Sequence, residues 1–337
     1  MKNLFLCLSA LLILNSISLT NELNVKKMNV TQNKENFVFA SYVSNYTQVR
    51  KAYQLIKSIR NSAGEYSHCD IYIGLSDTNS FNFDLLKSED IKLVNLDIPA
   101  EAGDYYFAVK AYAAAQIEQA LNENIKTLAW FDPETIVTGP VGDLELKQEY
   151  SAAIRPVFLM NKIGIKPDKE ANKYWGEILN YFNLNVEDMP IVETEVDLVK
   201  THAYYNCGIF SVNPSLGIMR EWAKVQSVFL KDNDYQEKAC GDIMRKIFFH
   251  QVAFSCVICC KLKLNEIYSL PMSCGYPLDL QKRMPEEKKI NKLNYLSCAI
   301  IEDLWDKNPK WMEDYVVEDP LKTLLQHATQ EYLSTGN

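Results

Sequence analysis

The chain has 337 residues, 47% hydrophobic and 23% charged, which is globular composition and excludes wholesale disorder, collagen and coiled coil. With 35 basic against 43 acidic side chains the net charge is −8, and there is no run of five basic residues. A nucleic-acid partner, which needs clustered lysine and arginine, is therefore not expected.

Met1, Lys2 and Asn3 precede the apolar run Leu4–Leu14, and Ser16 and Ser18 follow at the −3/−1 spacing of a signal-peptidase site. This order predicts a signal peptide over residues 1–20, or an N-terminal anchor if it stays uncleaved. The run is shorter than the ~20 residues of a membrane span. Contact with a membrane is expected only through such an anchor. The expected location is the secretory pathway: exported or periplasmic in a bacterium, lumenal in a eukaryote. Asn29-Val-Thr31 and Asn45-Tyr-Thr47 match the N-glycosylation pattern, which matters only in a eukaryotic secretory pathway.

Residues 21–35, polar and asparagine-rich, read as a linker. Strands are then predicted at 37–43, 69–75 and 91–98, within 126–137, and at 150–157. Helices are predicted at 48–60, where Val49, Ala52, Tyr53, Ile56 and Ile59 recur at helical spacing, and at 105–121. The stretch 158–202 is less regular and reads as an insertion shaping a pocket. A strand at 204–212, helices at 214–229 and 240–262, a short strand at 266–270, a loop at 275–290 and a last strand at 296–301 follow. Strands alternating with helices imply a mostly parallel, doubly wound α/β sheet, which binds ligands beyond the strands' carboxyl ends. The apolar run 252–260 is short for a membrane span and reads as a buried helix.

Of the nine cysteines, Cys7 lies in the expected signal, leaving an even eight. Export would permit disulfides, but sequence does not pair them. Cys256 and Cys259 form a C-x-x-C inside an apolar helical run, with no second pair, so core packing explains them better than redox or zinc chemistry. Dinucleotide, P-loop, zincin and nucleophile-elbow motifs are all missing.

The sharpest local feature is LAWFDPETIV, residues 128–137. Pro133 cannot donate to a sheet, so the strand breaks there, flanked by Asp132 and Glu134. Two carboxylates at i and i+2 suit a hard cation, Mn2+ or Mg2+, that would hold a diphosphate. A turn carrying two solvated acids is the competing reading.

In context these residues resemble the nucleotide-diphospho-sugar transferases of GT-A fold. Phe37–Ser58 resembles that fold's first strand and helix, with Tyr46 where an aromatic stacks on the nucleobase. Lys110, in YYFAVKAYAAAQ, resembles the lysine on the helix before the metal strand. Asp132-Pro-Glu134 resembles the D-x-D motif in a looser D-x-E form. Asn206 and Gly208, in YYNCGIFSVNP, resemble the strand near the donor sugar, and Gln251 resembles part of a sugar-contacting aspartate–glutamine pair. The resemblance spans residues 36–275. It implies a GT-A-like three-layer α/β/α domain over 36–305 with a helical tail at 306–337. It also implies Mn2+ or Mg2+ on Asp132 and Glu134, and a nucleotide sugar met by Tyr46, Lys110, Asn206, Gly208 and Gln251. The acceptor would be a glycan, lipid or protein.

Three departures stand out. Glu134 replaces an aspartate, His250 stands where the pair's aspartate is expected, and a late metal-binding histidine is missing, with Glu302 or Asp303 offering oxygen in its place. They leave a second reading open: a GT-A-like protein that binds nucleotide or carbohydrate without turnover. A nucleotidyltransferase is disfavoured, because Ser44–Arg50 lacks a glycine-rich basic loop. Lys110 can also be read as pairing with Asp132 or as a plain surface lysine, Arg155 as a diphosphate contact or, better, a structural ion pair, and His202 as a core or loop histidine rather than a phosphate contact. Glu193, Glu195 and Asp197 read as a solvated loop or as a source of a base, and Tyr174, Trp175 and Tyr181 as core or a sugar subsite.

Overall fold

Runs of β-branched and aromatic residues buried on both faces build the central sheet. The computed structural model describes residues 34–76, 80–103, 105, 107–308 and 310–334. The expected signal or anchor, all but the end of the expected linker, and Asn29 lie outside them.

The strands are β1 (Phe37–Val43), β2 (Asp70–Leu75), β3 (Lys92–Asn95), β4 (Thr127–Phe131), β5 (Thr135–Val137), β6 (Ala152–Ile154), β7 (Ile191–Glu193), β8 (Lys200–His202), β9 (Ile209–Val212), β10 (Ile267–Ser269), β11 (Cys274–Pro277) and β12 (Cys298–Ile300). The longer helices are α1 (Tyr46–Ser62), α2 (Ala108–Ala120), α3 (Lys173–Tyr181), α4 (Ile218–Lys231), α5 (Ile243–Lys261) and α6 (Leu321–Ser334).

The central sheet runs β10-β6-β9-β4-β1-β2-β3. Every neighbouring pair is parallel except the two made by β9, which lies antiparallel between β4 and β6. Side chains alternate across it. Leu128 and Trp130 of β4 enter one core with α2, α3, α4 and α5, while Ala129 and Phe131 enter the other with α1. This is the expected α/β three-layer arrangement with a mostly parallel sheet.

β4 stops where proline was expected to stop it, and the chain restarts as β5 in a second sheet, ordered β11-β12-β5. That sheet covers a third core. Ile136, Tyr276, Ala299 and Ile301 pack there with Trp305, Trp311, Leu325 and Tyr332. The residues read as a tail, 306–337, are thus not set apart: their described part supplies this core, and residues 35–337 form one unit. Glu331 of α6 accepts from Tyr53 (3.0 Å) and Gln54 (3.2 Å) of α1. The loop expected at 275–290 contains most of β11, because its Cys274–Pro277 segment pairs with β12.

Helix α5 is long and apolar enough to cross a membrane by length and composition alone, longer than the run singled out in sequence. In the fold its Phe249–Ile258 segment is buried against the sheet.

Candidate active site

The stop at Pro133 delivers Asp132 to the carboxyl edge of the sheet, where both carboxylate oxygens are held. Trp130 is stacked between Tyr42 (5.9 Å) and Phe210 (6.3 Å), which locks its ring and aims its indole N–H at Asp132 Oδ1, 3.0 Å away. Lys110 Nζ, on α2, donates to Oδ2 at 2.5 Å. Lys110 is only 2% exposed. Burial pulls this lysine down, but the neighbouring groups, Asp132 first among them, outweigh it and hold the ammonium above the ordinary lysine range. Burial also pushes the Asp132 carboxyl up. We take the pair as ionised, because each oxygen of Asp132 faces a donated proton.

Next to this pair, Gly208 accepts from the Asp132 backbone N–H at 2.8 Å and donates to Asn206 Oδ1 at 2.8 Å. A Cβ on Gly208 would lie 3.2 Å from both Asp132 Oδ2 and Asn206 Oδ1. That close approach is the physical reason for glycine here. Only Ile209–Val212 of the expected 204–212 strand pairs in the sheet, so Asn206 and Gly208 sit just before it.

These residues open onto one cleft of about 480 Å3, lined among others by Lys110, Asp132, Glu134, Asn206, Gly208 and Gln251. Six of the seven residues singled out for metal and donor therefore meet. The seventh, Tyr46, begins α1 after β1, beside β4 in the sheet; it is 40% exposed and outside that lining. The acceptor pattern at Asn45 is used locally as the N-cap of α1, its side chain accepting from Gln48 N–H at 2.9 Å.

The small sheet builds the other wall. Glu134 precedes β5, Asp279 follows β11, and Glu302 and Asp303 follow β12; all four line the cleft. Lys51 of α1, 5% exposed, stands between Glu134 (3.8 Å) and Asp303 (3.6 Å). Burial and then the Asp132 charge push the Glu134 carboxyl up, and Lys51 pulls it back. Glu302, although exposed at the mouth, is pushed up to about 7 by desolvation first and then by Asp279, Glu134 and Asp303. Its backbone is left-handed (φ 46°), as is that of Asn161 (φ 52°) in the same lining.

His250 also lines the cleft. It stacks on Phe107 (5.1 Å), and Nδ1 lies 2.8 Å from the Ile247 carbonyl. Burial first and the Lys110 charge second push it well below its ordinary value, so it is neutral. Gln251 Oε1 lies 3.9 Å from the Cys207 thiol.

Other candidates fall elsewhere. Arg155 forms no carboxylate pair among the described residues; its guanidinium donates to the Leu270 carbonyl (3.3 Å) and to that of Pro271. Glu195 pairs with Lys288 at 2.9 Å, and Asp197 accepts from Thr194 at 2.5 Å. Tyr174 and Trp175 are core, and His202 is buried in β8. None of these lines the cleft. Sequence reasoning missed Lys51, Asp279 and the apolar lining of Phe158, Leu159, Ile247 and Phe248. Lys51 had one available signal: a lysine among the apolar positions of an amphipathic helix.

No curated protein matches the sequence. Among solved structures the chain is similar to mouse xyloside xylosyltransferase 1 in its apo form, with 12% identity, 78% of this chain and 97% of that one covered, and a TM-score of 0.41. It is also similar to the galactosyltransferase LgtC in complex with donor and acceptor sugar analogs (8%, 87% and 96%, 0.47). A third is the glycosyltransferase GlyE of Streptococcus pneumoniae TIGR4 (12%, 90% and 64%, 0.44). Residues 44–260 match the model of the Rhodobacterales glycosyltransferase domain, which covers more than half of the chain and the cleft residues from Phe107 to Gln251. The chain belongs to that family and is a glycosyltransferase.

Proposed function

We propose that this protein moves a sugar from a nucleoside diphosphate to an acceptor hydroxyl with the help of Mn2+ or Mg2+. What supports the reading most is the convergence of Lys110, Asp132, Glu134, Asn206, Gly208 and Gln251 on one cleft at the strand ends. The donor set suits such a cation. Among the described residues no three His, Cys, Asp or Glu side chains form a complete metal cage. Mg2+ in nucleotide sites takes one or two carboxylates and fills its shell from phosphate and water. Asp132 and Glu134 would supply those carboxylates, since two hydrogen bonds leave lone pairs free on Asp132. When bound, the cation would offset charge developing on the departing diphosphate.

The chain's own groups do the rest. Lys110, kept cationic, faces the diphosphate, while the Asn206 and Gln251 amides orient the donor sugar and Gly208 lets it approach the backbone. Tyr46 lies beneath the base. The acceptor oxygen bonds to the anomeric carbon, the bond from that carbon to the diphosphate breaks, and the hydroxyl proton leaves to the departing diphosphate or to solvent. Positioning and fixed charge supply most of the rate. The acceptor is a glycan, lipid or protein. We place the protein in the secretory pathway on the strength of Leu4–Leu14.

The test is hydrolysis of a panel of nucleotide sugars with Mn2+. Release of nucleoside diphosphate is expected, falling roughly 100-fold or more in an Asp132→Ala, Glu134→Ala double variant. Unchanged turnover in that variant would remove the metal role. Metal-independent nucleotide binding without release, read by calorimetry, would favour the non-catalytic reading.

A further inference from the structure

The eight described cysteines are all free thiols. Two of them face each other in the small sheet. Cys274 and Cys298 are register partners on the parallel strands β11 and β12, both fully buried, with their sulfurs 3.7 Å apart. Neighbouring strands lie about 4.8 Å apart, inside the Cα separation a disulfide accepts. Closure asks the two sulfurs to approach from 3.7 Å to bonding distance. Cys256 and Cys259, the C-x-x-C noted in sequence, instead share helix α5 and pack into the main core.

The place of the pair in the fold gives it a consequence. Two residues beyond β11 stands Asp279, and two beyond β12 stands Glu302; both line the cleft. A bond between the two cysteines would tie together the strands that carry those carboxylates.

We propose that Cys274 and Cys298 are a cross-linking site: in an oxidising compartment they form a disulfide that clamps β11 to β12 beneath the acidic wall of the cleft. The inference rests on the thiol geometry and not on the proposed reaction. The oxidant is a small-molecule or protein disulfide. One cysteine thiolate attacks it and expels a thiolate, giving a mixed disulfide. The second cysteine thiolate then attacks the first cysteine's sulfur and expels the other. Two protein thiols are oxidised and one disulfide is reduced to two thiols. Burial pushes the Cys298 thiol well above its ordinary value, and the Cys274 side chain adds to this. The step therefore belongs to folding, or to opening of the strand pair, rather than to the closed native state.

The experiment uses the full chain, reduced, unfolded in urea and refolded either with reduced and oxidised glutathione or with dithiothreitol. Remaining thiols are alkylated, and peptides are mapped by mass spectrometry without reduction. The glutathione arm should lose two alkylatable thiols and yield a peptide joining Cys274 to Cys298. Its product should melt roughly 5 °C above the dithiothreitol product, given the loop the bond closes. A Cys274→Ser, Cys298→Ser double variant should abolish that difference. The proposal fails if natively refolded protein carries alkyl labels on both cysteines, if the linkage joins other cysteines, or if the oxidised product melts no higher.

Discussion

The two sides of the cleft are built on opposite electrostatic plans. On the central-sheet side, each oxygen of Asp132 has a donor, and Lys110 is buried with its counter-charge in contact. On the small-sheet side, Glu134 and Asp303 flank Lys51, Glu302 and Asp279 line the same wall, and Asp303 also pairs with the exposed Lys307 at 2.9 Å. One side is neutralised by the fold. The other keeps surplus negative charge that a bound cation would relieve. The difference teaches that the first side should respond to mutation through folding as well as turnover, and the second mainly through pH.

The largest effect should come from Asp132→Asn. It leaves the Lys110 charge buried without a partner, which costs about 2–4 kcal/mol after allowing for the partial exposure of Asp132. Donor turnover should fall roughly 100-fold as well. Urea unfolding reads the first quantity; wild-type stability would mean that the lysine does not depend on this carboxylate. Gly208→Ala comes next. Its new Cβ, 3.2 Å from Asp132 Oδ2 and Asn206 Oδ1, should cost about 1–2 kcal/mol and raise the donor KM. A crystal structure of that variant with both neighbours unmoved would contradict the tight approach.

On the opposite wall, Lys51→Met should cost only about 1 kcal/mol at neutral pH, because its contacts are long and Asp303 is half exposed. The cost should shrink at pH 4 as the Glu134 carboxyl, pushed up by burial, protonates, whereas Asp303, held below its ordinary value first by its hydrogen bond to Lys307, stays charged. An equal loss at both values would point to packing instead of charge. The smallest effect concerns Glu302 in chelator-treated protein. The folded state holds its proton to about 7, whereas the unfolded chain releases it near 4.5. The unfolded state therefore binds fewer protons in that window, and stability falls as pH rises through it. Glu302→Gln should flatten that slope, measured by denaturant midpoints from pH 4.5 to 7. An unaltered slope would assign it to other groups.

Much of the fold was legible because its signals are local. Pro133 had to end β4, and the apolar runs had to be strands buried on both faces. How the helical tail packs was not legible for a related reason. Trp305, Trp311, Leu325 and Tyr332 look like scattered apolar residues in a charged segment until β5, β11 and β12 offer a surface for them. Lys51 and Asp279 were overlooked because each is an ordinary charged residue in sequence, and the carboxylates that give them meaning come from distant strands.

By itself, the sequence determined the alternation of strands and helices, the break between Asp132 and Glu134, and the order of the motifs. All of these rest on interactions between near neighbours along the chain. Tertiary structure alone decided that Lys110 neutralises Asp132, that Arg155 binds carbonyls, and that two cysteines meet across a strand pair. Each of those outcomes depends on which charge or surface another element brings within a few ångströms, and burial makes such proximity strong enough to govern the result.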